Sequence, residues 1–121
     1  SHYERPEPGK YEEKYSLKPV AKRLNTLLKI KNNFYMAEDV VGPDAKEKAA
    51  KMQGGDVLLL ENLRYEPGET KNDADFAKEL ASFADIYVND AFGACHRKHA
   101  SIYAIAEEFD TDHKAAGFLM S

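Results

Sequence analysis

The apolar positions of the chain first follow a helical rhythm. Leu17, Val20, Ala21, Leu24, Leu27 and Leu28 recur three and four residues apart, which predicts an amphipathic helix to about Lys29. Ser16 is the expected N-cap, and Pro19 fits the first turn, where a missing N–H breaks no intrahelical bond. Asn32 and Asn33 are expected to end this helix. Phe34-Tyr35-Met36 then reads as a short strand, followed by the Asp39-Val40-Val41-Gly42 turn region. Pro43 opens a second helix, which Gly54-Gly55 close after Met52. Val57-Leu58-Leu59-Leu60 is apolar without alternation, as in a parallel strand buried on both faces. Residues 63–72, with Pro67 and Gly68, read as a loop. Asn72 or Asp73 is expected to cap a third helix with Phe76, Ala77, Leu80, Phe83 and Ala84 on one face. Ile86-Tyr87-Val88 reads as the next buried strand, and residues 90–99 as a loop around Gly93. Ser101 is expected to cap a short helix through Ile102, Ile105 and Phe109, and residues 115–120 to form a last apolar strand.

Helices alternating with strands predict an α/β fold, a three-layer αβα domain around a parallel sheet of Rossmann-like type. Residues 1–15, with Pro6, Pro8 and Gly9 among charges, read as a loop, and no internal repeat, low-complexity tract or linker is visible. At 121 residues the chain suits one domain, and a chain of that size can bury roughly two-thirds of its unfolded surface. Apolar residues at 43% and charged residues at 31% give a soluble globular composition. The net charge of −4 argues against nucleic acid as a partner. No apolar run approaches the roughly 20 residues of a membrane span, and residues 1–14, polar and charged, do not read as a signal peptide. Cys95 is the single cysteine, so no intrachain disulfide forms, and the expected compartment is the cytoplasm.

Ligands of open parallel sheets bind beyond the carboxyl ends of the strands. Two loops there carry candidate chemistry: Glu61-Asn62-Leu63-Arg64-Tyr65, and residues 89–99 with Cys95, His96, Arg97, Lys98 and His99. A guanidinium matches phosphate and carboxylate oxygens at two points, so Arg64, Arg97 and a histidine would make an anion pocket. The alternative is that both arginines are solvated surface charges. Cys95, His96 and His99 lack a fourth ligand and the paired spacing of a zinc site. Cys95 as a nucleophile has no visible orienting pattern. Asp39 and Asp90 follow strands and could hold magnesium, but capping or turn roles are the expectation. No glycine-rich nucleotide loop is present.

Three stretches resemble signatures of phosphoglycerate kinase, in that family's order and approximate spacing. They are Tyr15-Ser16-Leu17-Lys18-Pro19-Val20-Ala21, Leu58-Leu59-Leu60-Glu61-Asn62-Leu63-Arg64-Tyr65, and Val88-Asn89-Asp90-Ala91-Phe92-Gly93 with His96-Arg97 and His99-Ala100-Ser101. Ala116-Gly117-Phe118-Leu119-Met120 resembles the segment closing the first part of the N-terminal domain. The resemblance covers nearly the whole chain. It implies phosphoryl transfer between 1,3-bisphosphoglycerate and magnesium-ADP in glycolysis, with the glycerate held by arginines and histidines of the N-terminal domain. Arg64 and Arg97 match two substrate arginines, and His96 lies beside that patch. Ser1-His2-Tyr3-Glu4-Arg5-Pro6 is similar to the family's substrate loop, so His2 and Arg5 carry over as further substrate ligands. The family usually has Leu-Gly where this chain has Tyr3-Glu4.

By the same resemblance, residues 1–121 form a partial N-terminal 3-phosphoglycerate-binding domain. The family's first two strands, which lie mid-sheet, are expected before Ser1. The domain that binds Mg-ATP or Mg-ADP is expected after Met120. The chain itself is expected to hold no catalytic residue, metal or nucleotide and to be inactive alone. The remaining strands are expected to form two separated pairs. The partners implied are 3-phosphoglycerate or 1,3-bisphosphoglycerate, the C-terminal domain and, through exposed strand edges, further copies of the chain. The rival readings are a non-catalytic anion-binding module and a structural fragment that self-associates.

Overall fold

The computed structural model describes residues 1–29 and 33–117, which divide into two compact units, Ser1–Glu66 and Pro67–Ser121. The last-strand residues Phe118, Leu119 and Met120, and the helix-ending Asn32, lie outside the described residues.

In the first unit α1 spans Lys18–Leu28, with Pro19 in its first turn and Lys29 in the left-handed conformation at its end. The expected N-cap is displaced by one residue. Leu17 occupies that position, and Ser16 Oγ accepts from the Lys18 N–H instead. Strand β1, Phe34–Met36, and strand β2, Val57–Leu59, pair in parallel, with Phe34 opposite Val57 and Met36 opposite Leu59. Helix α2, Pro43–Lys51, makes the crossover that a parallel pair needs. Asp39 caps it through bonds from the Asp44 and Ala45 N–H groups at 3.1 and 2.8 Å. Gly42 is required beside this cap, because a Cβ there would run into the Asp39 carboxylate. Leu17, Ala37, Val40, Ala45, Leu63 and Tyr65 form the core.

The second unit begins with α3, Pro67–Thr70, where a loop was expected, and continues into α4, Ala74–Ala81. Asp73 caps α4 as expected, accepting from the Phe76 N–H at 2.8 Å. Phe76, Ala77 and Leu80 are buried, but the helix stops before Phe83 and Ala84, and Ala84 is exposed. Strand β3, Tyr87–Asn89, pairs in parallel with β4, Lys114–Ala116. The helix expected from Ser101 is a 3-10 segment over Ala104–Glu108, which packs on α4. Ser101 does not cap it: Tyr103 holds the N-cap position, and the Ser101 N–H and hydroxyl both donate to the Glu69 carboxylate.

The fold is thus α/β with parallel strands, incomplete as anticipated: among the described residues there are two sheets of two strands each. A parallel strand is buried when strands flank it and helices cover both faces. Each of these strands has one bonded neighbour, and burial falls accordingly. Val57, Leu58, Leu59 and Leu60 are half-buried, while Ile86 and Val88 are exposed, Val88 by 59%. On α1 only Ala21 is buried, and Val20, Leu27 and Leu28 stand exposed.

Candidate functional site

The loop after β2 is built on two buried polar side chains. Glu61 is 1% exposed and its carboxylate accepts three hydrogen bonds: from the Ser16 hydroxyl at 2.7 Å, the Leu17 N–H at 2.8 Å and its neighbour's Asn62 N–H at 2.7 Å. A carboxylate removed from water needs such donors. Asn62 is fully buried, and both ends of its amide are used. Its Nδ2 donates to the carbonyls of Tyr3 and Tyr15 at 2.7 and 2.9 Å, and its Oδ1 accepts from the Arg64 N–H at 3.0 Å. That last bond caps the 3-10 turn Leu63–Tyr65, on which Arg64 sits. The Leu63 N–H donates to the Ser1 carbonyl at 3.0 Å, and the Gly9 N–H to the Tyr65 carbonyl at 2.7 Å. Tyr65 donates its phenol to the Glu12 carbonyl; burial first, and then the Glu61 charge, push its pKa above the ordinary value of 10.0.

These bonds join the segment bearing His2 and Arg5 to the segment bearing Arg64. His2 and Arg5 are exposed, whereas Arg64 is only 6% exposed, so the reading of Arg64 as a solvated surface charge does not hold. Glu4, between His2 and Arg5, has φ of 57°. This left-handed conformation favours glycine, and it falls at the Tyr3-Glu4 departure noted above.

In the second unit His96 and Arg97 sit on the loop after β3, His96 exposed and Arg97 half-buried. The loop is shaped by a bond from the Ala91 N–H to Asn89 Oδ1, by the 3-10 turn Phe92–Ala94, and by the Arg97 N–H on the Ala94 carbonyl. Its far end is held by Glu69, 2% exposed, whose backbone carbonyl accepts from the Ala100 N–H and whose carboxylate takes Ser101. Asn72 Oδ1 accepts from the Ala104 N–H at 3.0 Å. Lys98 Nζ lies 4.7 Å from the centre of the Tyr103 ring, a cation–π distance.

Cys95 is a free, exposed thiol. Among the described residues no group of three or more His, Cys, Asp or Glu is placed to hold a metal ion, and Asp39 serves as a helix cap. No described helix is long and apolar enough to cross a membrane. Sequence reasoning assigned no role to Glu61, Asn62 or Glu69. For the first two the available signal was a polar pair directly after an uninterrupted apolar run.

The phosphoglycerate kinase family model matches residues 1–121. Among curated relatives, the phosphoglycerate kinase of Nautilia profundicola is 62% identical over 120 residues, and that of a Nitratiruptor species 63% identical over 120 residues. Each alignment covers 99% of this chain and 29% of the relative, so the chain spans less than a third of their length. Among solved structures, phosphoglycerate kinase from Coxiella burnetii superposes with a TM-score of 0.82 at 34% identity, over 98% of this chain and 28% of that one. The Pyrococcus horikoshii phosphoglycerate kinase gives 0.75 at 31% identity, covering 98% and 29%. A family match over every residue and a backbone that follows solved members together place this chain in the phosphoglycerate kinase family.

Proposed function

We propose that this chain is the part of a phosphoglycerate kinase that binds 3-phosphoglycerate or 1,3-bisphosphoglycerate, using His2, Arg5 and Arg64 in the first unit and His96 and Arg97 in the second. The observation that carries the reading is the hydrogen-bonded junction between residues 1–3 and 62–63, which seats two family-matched cationic segments side by side. Enzymes of phosphoryl transfer work by positioning and by stabilising charge. Here the guanidinium groups would fix the acceptor's anionic groups and offset their charge. Chemistry at the nucleotide, with its magnesium, belongs in this reading to a part of the enzyme that residues 1–121 do not supply, so the segment alone binds without turnover. A cytoplasmic setting fits a chain whose one thiol is free.

Titration calorimetry with 3-phosphoglycerate tests the reading. Each of Arg64→Ala and Arg97→Ala is expected to weaken binding about ten- to a hundredfold, as loss of a charged hydrogen bond does. Unchanged affinity in both variants would reject the assignment. A coupled assay with ATP and 3-phosphoglycerate should give no signal above a blank; turnover by homogeneous material would refute the inactivity.

A second reading, self-association through strand edges, is favoured by the exposed Ile86 and Val88 at a two-stranded sheet. Light scattering at rising concentration should then show growing mass, and a constant monomer mass would dismiss it.

A further inference from the structure

We infer that Asn62 is a positioning residue: its side-chain amide clamps the segment carrying His2 and Arg5 against the turn carrying Arg64. The inference rests on the ligand reading above, but its structural half stands on geometry alone. One carboxamide with two N–H donors and one carbonyl can join three backbone segments, and Asn62 does so. It donates at 2.7 Å to Tyr3 and at 2.9 Å to Tyr15, and accepts at 3.0 Å from Arg64. The residue is fully buried, so water does not compete for these bonds. Glu61 fixes the other side of the same peptide by accepting the Asn62 N–H. The clamp has a reporter beside it, because the Leu63 N–H is bonded to the Ser1 carbonyl and is released if the segment lifts away. An aspartate at 62 would keep the acceptor for Arg64 but replace the two N–H donors with a single oxygen facing two carbonyls. The substitution therefore separates holding the N-terminal segment from shaping the Arg64 turn.

The test uses Asn62→Asp in the whole 121-residue chain, followed by amide exchange and by calorimetry with 3-phosphoglycerate. Exchange at Leu63 should accelerate at least about tenfold, the scale of one lost hydrogen bond. Exchange at Ala37, whose N–H is bonded to the Leu59 carbonyl, should stay within about twofold. Affinity should fall about tenfold, and by less than about twofold when His2→Ala and Arg5→Ala are both already present, since a clamp acts through the segment it holds. Equal losses in both backgrounds would overturn the positioning role, as would unchanged exchange at Leu63. If Asn62→Asp does not fold, Asn62→Ser serves, because a serine hydroxyl can cap the Arg64 N–H without reaching the two carbonyls. Absence of 3-phosphoglycerate binding by the unmodified chain would overturn the ligand reading; the exchange arm then judges the clamp by itself.

Discussion

Replacing Glu61 is the sharpest test of what holds the first unit together. Its buried carboxylate accepts from the Ser16 hydroxyl and from the Leu17 and Asn62 N–H groups, all within 2.8 Å. Hydrogen bonds to a charged group contribute about 1.5–3 kcal/mol each, but three on one carboxylate are coupled and do not add fully. In Glu61→Ala the two N–H donors lose their partner inside the protein, and the loss should be about 3–5 kcal/mol, a large part of the ~5–15 kcal/mol that stabilises a typical domain. Glu61→Gln keeps the volume and one acceptor oxygen, so both N–H bonds can persist as neutral bonds. Its new NH2 must face Ser16 Oγ, which already accepts from Lys18. The expected loss is then about 1–3 kcal/mol. Urea unfolding followed by circular dichroism, with equal slopes, measures both. Ser16→Ala should cost about 1 kcal/mol in the unmodified chain and clearly less in the Glu61→Gln background. A Glu61→Gln midpoint indistinguishable from the unmodified chain would refute the reasoning.

Glu4→Gly should hold or raise stability, because relief of the left-handed φ of 57° roughly offsets the added freedom of the unfolded chain. Glu4→Val should cost more than about 1 kcal/mol, and equal urea midpoints for the two variants would contradict the backbone. Gly42→Ala should lower stability by about 1–2 kcal/mol by displacing the Asp39 cap, read as a lower midpoint with faster exchange at Ala45; unaltered exchange there would dismiss the clash. Burial is the leading cause raising the pKa of Tyr65 and of Tyr87 above the ordinary 10.0. Both hold their protons more tightly folded than unfolded, so the stability they confer is complete below pH 10 and declines as pH rises through the raised values. A phenolate absorbance titration should show a late phase that Tyr65→Phe and Tyr87→Phe each diminish, and its persistence in the double variant would refute the assignment.

The elements legible in the sequence were those whose cause is local. Pro43 and Gly54-Gly55 bounded α2, Asp73 capped α4, and β1 fell on Phe34-Tyr35-Met36. Burial was less legible because it depends on neighbours. The runs at Val57 and Ile86 have the composition of central strands, yet each lies in a pair, and Val88 stays 59% exposed. Ser101 has the local character of a helix cap, but its N–H and hydroxyl bind Glu69, 32 residues away, and the 3-10 segment starts only at Ala104. Arg64 was singled out through its loop and family motif, but its burial, at 6% exposed, was not legible there. Glu61 and Asn62 went unassigned because their partners come from 44–59 positions away, beyond any periodicity.

Each unit uses the same device to hold a loop. In the first, the buried Glu61 carboxylate accepts from the Ser16 hydroxyl and the N–H of the next residue, Leu17. In the second, the buried Glu69 carboxylate accepts from the Ser101 hydroxyl and the N–H of Ser101 itself. Among the described residues both sheets are two strands wide, and such sheets are marginal as sources of order. Charge-assisted bonds to a buried carboxylate are strong and directional, and they fix a loop without a wide apolar floor beneath it. The loops so fixed adjoin Arg64 in one unit and His96-Arg97 in the other. In the proposed reading, the order needed to present cations to an anionic ligand would come from these carboxylates and from Asn62 more than from the strands. That ranking has a consequence for mutation. Truncating the exposed Val88 should barely change ligand affinity, whereas Glu61→Gln and Glu69→Gln should each weaken it together with stability. Affinity that follows the strand and ignores both carboxylates would reverse the ranking.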